Sequence, residues 1–149
     1  MWAAAFLAEN GTTVVHPWLT IRETYNRGVA FGLFQGIGPV VGWLTIGVVI
    51  VMIYYLWRLP SRQWISRLGL ALLIGGAAGN LVDRVVAGQV LDFLDTVLRP
   101  GIFNVADVLI NSGMILLLLA LFLEKHEEEE EPLSEPVLVE SDESAEYLR

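Results

Sequence analysis

The 149-residue chain contains no cysteine, which excludes disulfides, thiolate nucleophiles and thiolate-held metals. Lysine is almost missing too. Lys125 is the only one, so a serine–lysine dyad has no base outside the far carboxyl-terminal part of the chain. His16 and His126 lie far apart and read onto opposite sides of a membrane, so the spacing of a zinc peptidase is absent, and neither a metal nor a cofactor is expected. A Ser112/His16 pair would join a helix to a strand region and is disfavoured. No phosphate loop or dinucleotide fingerprint occurs. No stripe of basic residues is present, which argues against nucleic acid as a partner.

What remains is apolar. Hydrophobic residues make up 54% of the chain and charged residues 17%, a composition that belongs to integral membrane proteins. The formal net charge of −8 comes from residues 124–149, where eleven carboxylates face only Lys125 and Arg149. Elsewhere seven arginines balance six acids. The acid run and its prolines lack apolar side chains to build a core, so residues 124–149 read as a disordered cytoplasmic tail.

Residues 37–57 carry no charge over 21 positions, enough helix to cross a hydrocarbon layer of about 30 Å. A second stretch runs from Trp64 to about Val86, and spans only if Asp83 and Arg84 reach an interface or a polar cavity. A third covers Ile102 to Leu123. Its polar residues Asn104, Asp107, Asn111 and Ser112 all fall in the first half, leaving MILLLLALFL as a plain lipid anchor. Arg58, Arg62 and Arg67 lie between the first two spans and place that connection in the cytoplasm. Residues 1–36, the 87–101 loop and the start of the last helix then share the extracytoplasmic face. Trp43, Tyr54, Tyr55, Trp57 and Trp64 lie near span ends, either as interfacial aromatics or as packing between helices. Residues 12–25 are rich in Thr, Val, Ile and Tyr and read as short strands. MWAAAFLAENG reads as the last two turns of a helix whose start is absent.

Ionisable groups at membrane depth are costly and gather where they face one another, water or a ligand. Asn80, Asp83 and Arg84 share a helical face at the end of the small-residue run GGAAG. Asp92 and Asp95 follow in the loop, and Asn104 and Asp107 project together from the start of the last helix. Two carboxylates sharing a proton can hydrolyse a peptide bond: one takes a proton from water while the other donates to the carbonyl. The same residues admit a plainer reading, with Asp107 capping a helix and Asp92 and Asp95 solvated. From spacing alone the two stand even. A proton pathway is a weaker alternative, because the carboxylates collect at one face.

Asn26-Arg27-Gly28-Val29-Ala30-Phe31, GGAAGNLVDRVVAGQVLDFLD and Phe103-Asn104-Val105-Ala106-Asp107 closely resemble, in order, the motifs of the lipoprotein signal peptidase (signal peptidase II) family. The resemblance covers about residues 2–123. It implies a membrane protein, mainly α-helical, with a small extracytoplasmic β platform in residues 1–36 and a catalytic core in residues 37–123. It implies Asp92 and Asp107 as the catalytic pair, Asn80, Asp83 and Arg84 as a bracing group, and Asn26, Gly28 and Asn104 as further site positions. Gly28 admits a positive φ or a close backbone approach. Asp95 is not carried over. The implied activity is aspartic endopeptidase cleavage of prolipoproteins before a diacylglyceryl-modified cysteine, in the bacterial inner membrane, by a monomer among membrane lipids. The family pattern has four spans and this sequence shows three. A late start assignment that omits about twenty residues, one helix crossing, accounts for the difference; the upstream DNA tests it. A truncated relative that binds signal peptides without cutting them is the alternative.

Overall fold

The computed structural model describes residues 2–28 and 38–130. Val29, Ala30 and Phe31 of the first motif, with the rest of 29–37, and the tail residues 131–149 lie outside the described residues. The elements in chain order are α1 (Trp2–Asn10), β1 (Thr13–His16), β2 (Leu19–Asn26), α2 (Gly38–Arg58), α3 (Trp64–Ala87), β3 (Val90–Thr96), β4 (Arg99–Phe103) and α4 (Val105–Glu130). Three helices are long and apolar enough to cross a membrane: Val40–Arg58 over 19 residues, Trp64–Ala87 over 24 and Val105–Leu123 over 19. They match the three spans expected from the sequence, except that Ile102 and Phe103 belong to β4 and the last span begins at Val105. Helix α4 continues beyond its apolar part, past residue 123, to Glu130.

The helices turn their apolar side chains outward. Trp43 is 75% exposed and Trp57 83%, and Tyr54, Tyr55 and Trp64 are exposed as well. None of these aromatics is packed between helices of this chain, and their places near span ends suit the membrane–water interface. Among the described spanning helices, the main contacts are those of α3 with α2 and with α4. A Cβ on Gly69 would meet the Gly113 carbonyl oxygen at 2.9 Å, and one on Gly76 would meet the Ala106 carbonyl oxygen at 2.5 Å. Small residues therefore let two helices approach backbone to backbone, where lipid offers no hydrophobic drive between them. The carboxyl end of α2 is closed by Arg67, whose Nη1 donates to the carbonyls of Leu59 at 2.8 Å and Leu56 at 3.3 Å, groups that a helix end otherwise leaves unpaired.

The four strands form one antiparallel sheet in the order β1-β2-β3-β4. The loop read from sequence at 87–101 is thus corrected: it holds β3 and the start of β4, which runs on to Phe103. Gly88, in the left-handed conformation at φ 70°, donates its N–H to Arg84 O and stops α3, a conformation glycine adopts without penalty. The chain then enters β3 directly. In β2 an extra residue lies between the pairs Ile21↔Leu94 and Thr24↔Asp92. This bulge brings Thr24 opposite Asp92 and Asn26 opposite the fully buried Val90, re-aiming the end of the strand.

Candidate active site

Asp92 and Asp107 reach one place by different routes. Asp92 is carried by β3, and only 5% of it is exposed. Asp107 stands in the first turn of α4. Both line a cavity of about 790 Å³ between the sheet and the helices, together with Asn26, Asn80, Arg84 and Asn104. Asp95 is three residues from Asp92 on a strand of period two, so it presents to the opposite face. It pairs instead with Arg22 at 3.0 Å.

The carboxyl groups are linked through amides. Asn104 Nδ2 donates to Asp92 Oδ1 at 2.7 Å and to Asn80 Oδ1 at 3.1 Å. Asn80 Nδ2 donates to Asp107 Oδ1 at 3.1 Å, and Asn26 Nδ2 reaches Asp92 Oδ2 at 3.3 Å. Asn104 and Asp107 also bond reciprocally. The Asp107 N–H donates to Asn104 Oδ1 at 3.1 Å, and the Asn104 N–H donates to Asp107 Oδ2 at 3.2 Å. This is a capping box with Asp in the third helical position. The two readings of Asp107 drawn from spacing are therefore compatible: it helps close the helix start and also faces the cavity.

Burial raises the Asp92 pKa above the ordinary carboxylate value. The Asn104 hydrogen bond acts against this, the Asp107 charge adds to it, and Asn26 and Arg84 pull back down. Desolvation outweighs the donors because it disfavours any charge at this depth.

Arg84 binds the platform to α3. Its Nη2 donates to the Gly28 carbonyl at 3.1 Å and its Nη1 to the Asn80 carbonyl at 3.3 Å, while its buried Nε has no partner among the described residues. Gly28 itself donates to Asn26 Oδ1 at 3.0 Å, which fixes the Asn26 amide. Asp83, expected on the same face, does not line the cavity. Positions four apart on a helix lie closer in angle than positions three apart, so Asn80 and Arg84 share the cavity side and Asp83 turns from it. Sequence reading missed Thr45, Tyr25 and Arg99, which also line the cavity. A hydroxyl in an apolar span was the one available signal for Thr45. Among the described residues no three His, Cys, Asp or Glu side chains gather as a metal site would require.

Fold and site together define a multi-pass membrane protein whose aspartates are held at one end of its helices. The model of the family described as signal peptidase (SPase) II matches residues 1–123, and the chain belongs to that family of peptidases. A lipoprotein signal peptidase of Desulfitobacterium hafniense is 35% identical over 127 residues, covering 83% of this chain and 82% of that relative. One from Caldanaerobacter subterraneus is 40% identical over 116 residues, covering 77% and 79%. One from Mesorhizobium japonicum is 43% identical over 105 residues; the match covers 67% of this chain and spans 62% of that relative's length. A solved bacterial membrane enzyme structure superposes with a TM-score of 0.74 at 27% identity, covering 89% of this chain and 86% of its own.

Proposed function

We propose that the chain is an intramembrane aspartic endopeptidase that removes signal peptides from diacylglyceryl-modified prolipoproteins, cutting before the lipidated cysteine. The observation that carries this reading is the placing of Asp92 and Asp107 in one cavity with a shared set of asparagine donors. The relatives named lipoprotein signal peptidase supply the substrate class. Asp92, whose pKa is raised, keeps a proton and donates it to the scissile carbonyl oxygen. Asp107 takes a proton from a water in the cavity, and that water attacks the carbonyl carbon. When the tetrahedral intermediate collapses, Asp107 passes its proton to the leaving amine and a hydroxyl of the intermediate returns a proton to Asp92, restoring the pair. Asn104, Asn80 and Asn26 fix the carboxyl groups so that the reacting atoms need little rearrangement. The active site faces the extracytoplasmic side of the inner membrane, and the enzyme acts as a monomer.

Asp92→Asn and Asp107→Asn are each expected to lower prolipoprotein cleavage by at least ~10²-fold, as loss of an acid or base does, with membrane insertion unchanged. Cleavage of a purified lipidated substrate, followed by gel shift, checks this. Wild-type rates in both variants would remove the pair from the chemistry.

A further inference from the structure

Asn111 is a polar side chain within a membrane-spanning helix, and the aspartate pair does not explain it. It stands one turn beyond Asp107 on α4, about 6 Å farther along the helix axis. Its Nδ2 donates one of its two N–H groups to the Asp107 carbonyl at 2.8 Å. Its Oδ1 accepts no hydrogen bond among the described residues, and the exposed side chain lines the cavity. Thr45 on α2 repeats the pattern. Its hydroxyl donates to the Val41 carbonyl at 2.7 Å, which leaves the oxygen's lone pairs as acceptors, and it lines the same cavity. Because α3 packs against both α2 and α4, these acceptors belong to different walls. A substrate segment that fills the cavity displaces water from these acceptors, which then need a donor from the substrate.

A peptide substrate has the complementary deficit. A scissile bond must leave its helix to be attacked, and each unwound residue loses the partner of its N–H in surroundings that offer no bulk water. We propose that Asn111 and Thr45 form a membrane-depth subsite that accepts hydrogen bonds from backbone N–H groups of the unwound substrate segment preceding the scissile bond. This rests on the peptidase reading above. The ligand class is extended peptide backbone, recognised without regard to side chain.

The test uses the 149-residue chain in lipid vesicles and a synthetic diacylglyceryl-modified prolipoprotein peptide, made either all-amide or with single backbone esters that delete one N–H before the scissile bond. Thr45→Val and Asn111→Leu are each expected to raise KM about tenfold, the effect of one buried hydrogen bond, with kcat largely kept. Thr45→Ser and Asn111→Gln retain an acceptor and should recover much of the loss. At one ester position the wild type should lose about tenfold in kcat/KM while the matching apolar variant loses no more, the coupling that a direct contact produces. Unchanged KM in both apolar variants, or an ester penalty that persists in full in the Thr45→Val/Asn111→Leu double variant, overturns the subsite and leaves the peptidase standing. Failure of the wild type to cleave the all-amide peptide overturns the peptidase reading and the subsite with it.

Discussion

At the scale of single residues, Asn104 does most to make the site, since it starts α4 and donates to Asp92 with the same side chain. Asn104→Ser separates these roles. Serine caps a helix about as well as asparagine, so the cap itself should change stability by less than ~1 kcal/mol, but it has no amide to reach Asp92. The carboxylate then loses its strongest support and its pKa moves further up. In the proposed mechanism, loss of the Asp92 proton sets the alkaline limb of kcat/KM, which should lie above the ordinary carboxylate range in the wild type and shift to higher pH in Asn104→Ser. A pH–rate series on the lipidated peptide checks this; an unmoved alkaline limb would show that another group controls it. The amides also limit how a proton travels. Among the described residues no hydrogen bond joins the two carboxyl groups directly, and asparagine neither takes nor gives up a proton at neutral pH. In the proposed reaction, transfer between the aspartates therefore has to pass through a bound water or the substrate. The carboxylates were legible in the sequence as a group, but choosing Asp92 over Asp95 needed either the family motifs or the strand face. Residues 87–101 offered no clean alternation to show that face.

At the scale of elements, the glycines of α3 and α4 set the distance between Asn80 and Asp107. A Cβ on Gly76 would come within 2.7 Å of Ile110 Cγ1 as well as striking the Ala106 carbonyl, whereas a Cβ on neighbouring Gly75 meets nothing within 4 Å. Gly76→Ala should destabilise the protein by about 1–3 kcal/mol through overpacking, and cut activity about 10²-fold by moving α4 relative to α3. Gly75→Ala should keep activity and gain up to about 1 kcal/mol from helix propensity. Melting curves and cleavage rates of the two variants in detergent check the contrast. Close helix approach was readable in GGAAG, yet which of its glycines touches α4, and that Gly69 and Gly113 face each other, depend on the crossing of two helices. The strand pairing was hidden for a related reason: the extra residue in β2 breaks the period of two, so counting from Ile21 puts Asn26 on the wrong face.

At the scale of the whole molecule, the three spans and the arginine-rich connection were plain in the hydropathy pattern, because a membrane constrains length and charge more strongly than packing does. The sheet was only half visible. The absence of cysteine makes orientation testable with little background. A cysteine placed at Thr13 in β1 should react in intact cells with a membrane-impermeant maleimide, and one placed at Ser61, between α2 and α3, should react only after lysis. The reverse labelling would put the candidate site on the cytoplasmic side. The spans also differ in length. By helical rise, the 24 residues of α3 extend about 36 Å, and the 19 residues of each neighbouring span about 28 Å. One bilayer cannot match both, so α3 tilts or carries its last turn beyond the hydrocarbon, and that turn holds Arg84 just past Asn80. Bilayer thickness thus becomes part of the enzyme's geometry. Acyl-chain length therefore sets how far Asp92 and Asp107 stand from the lipid surface.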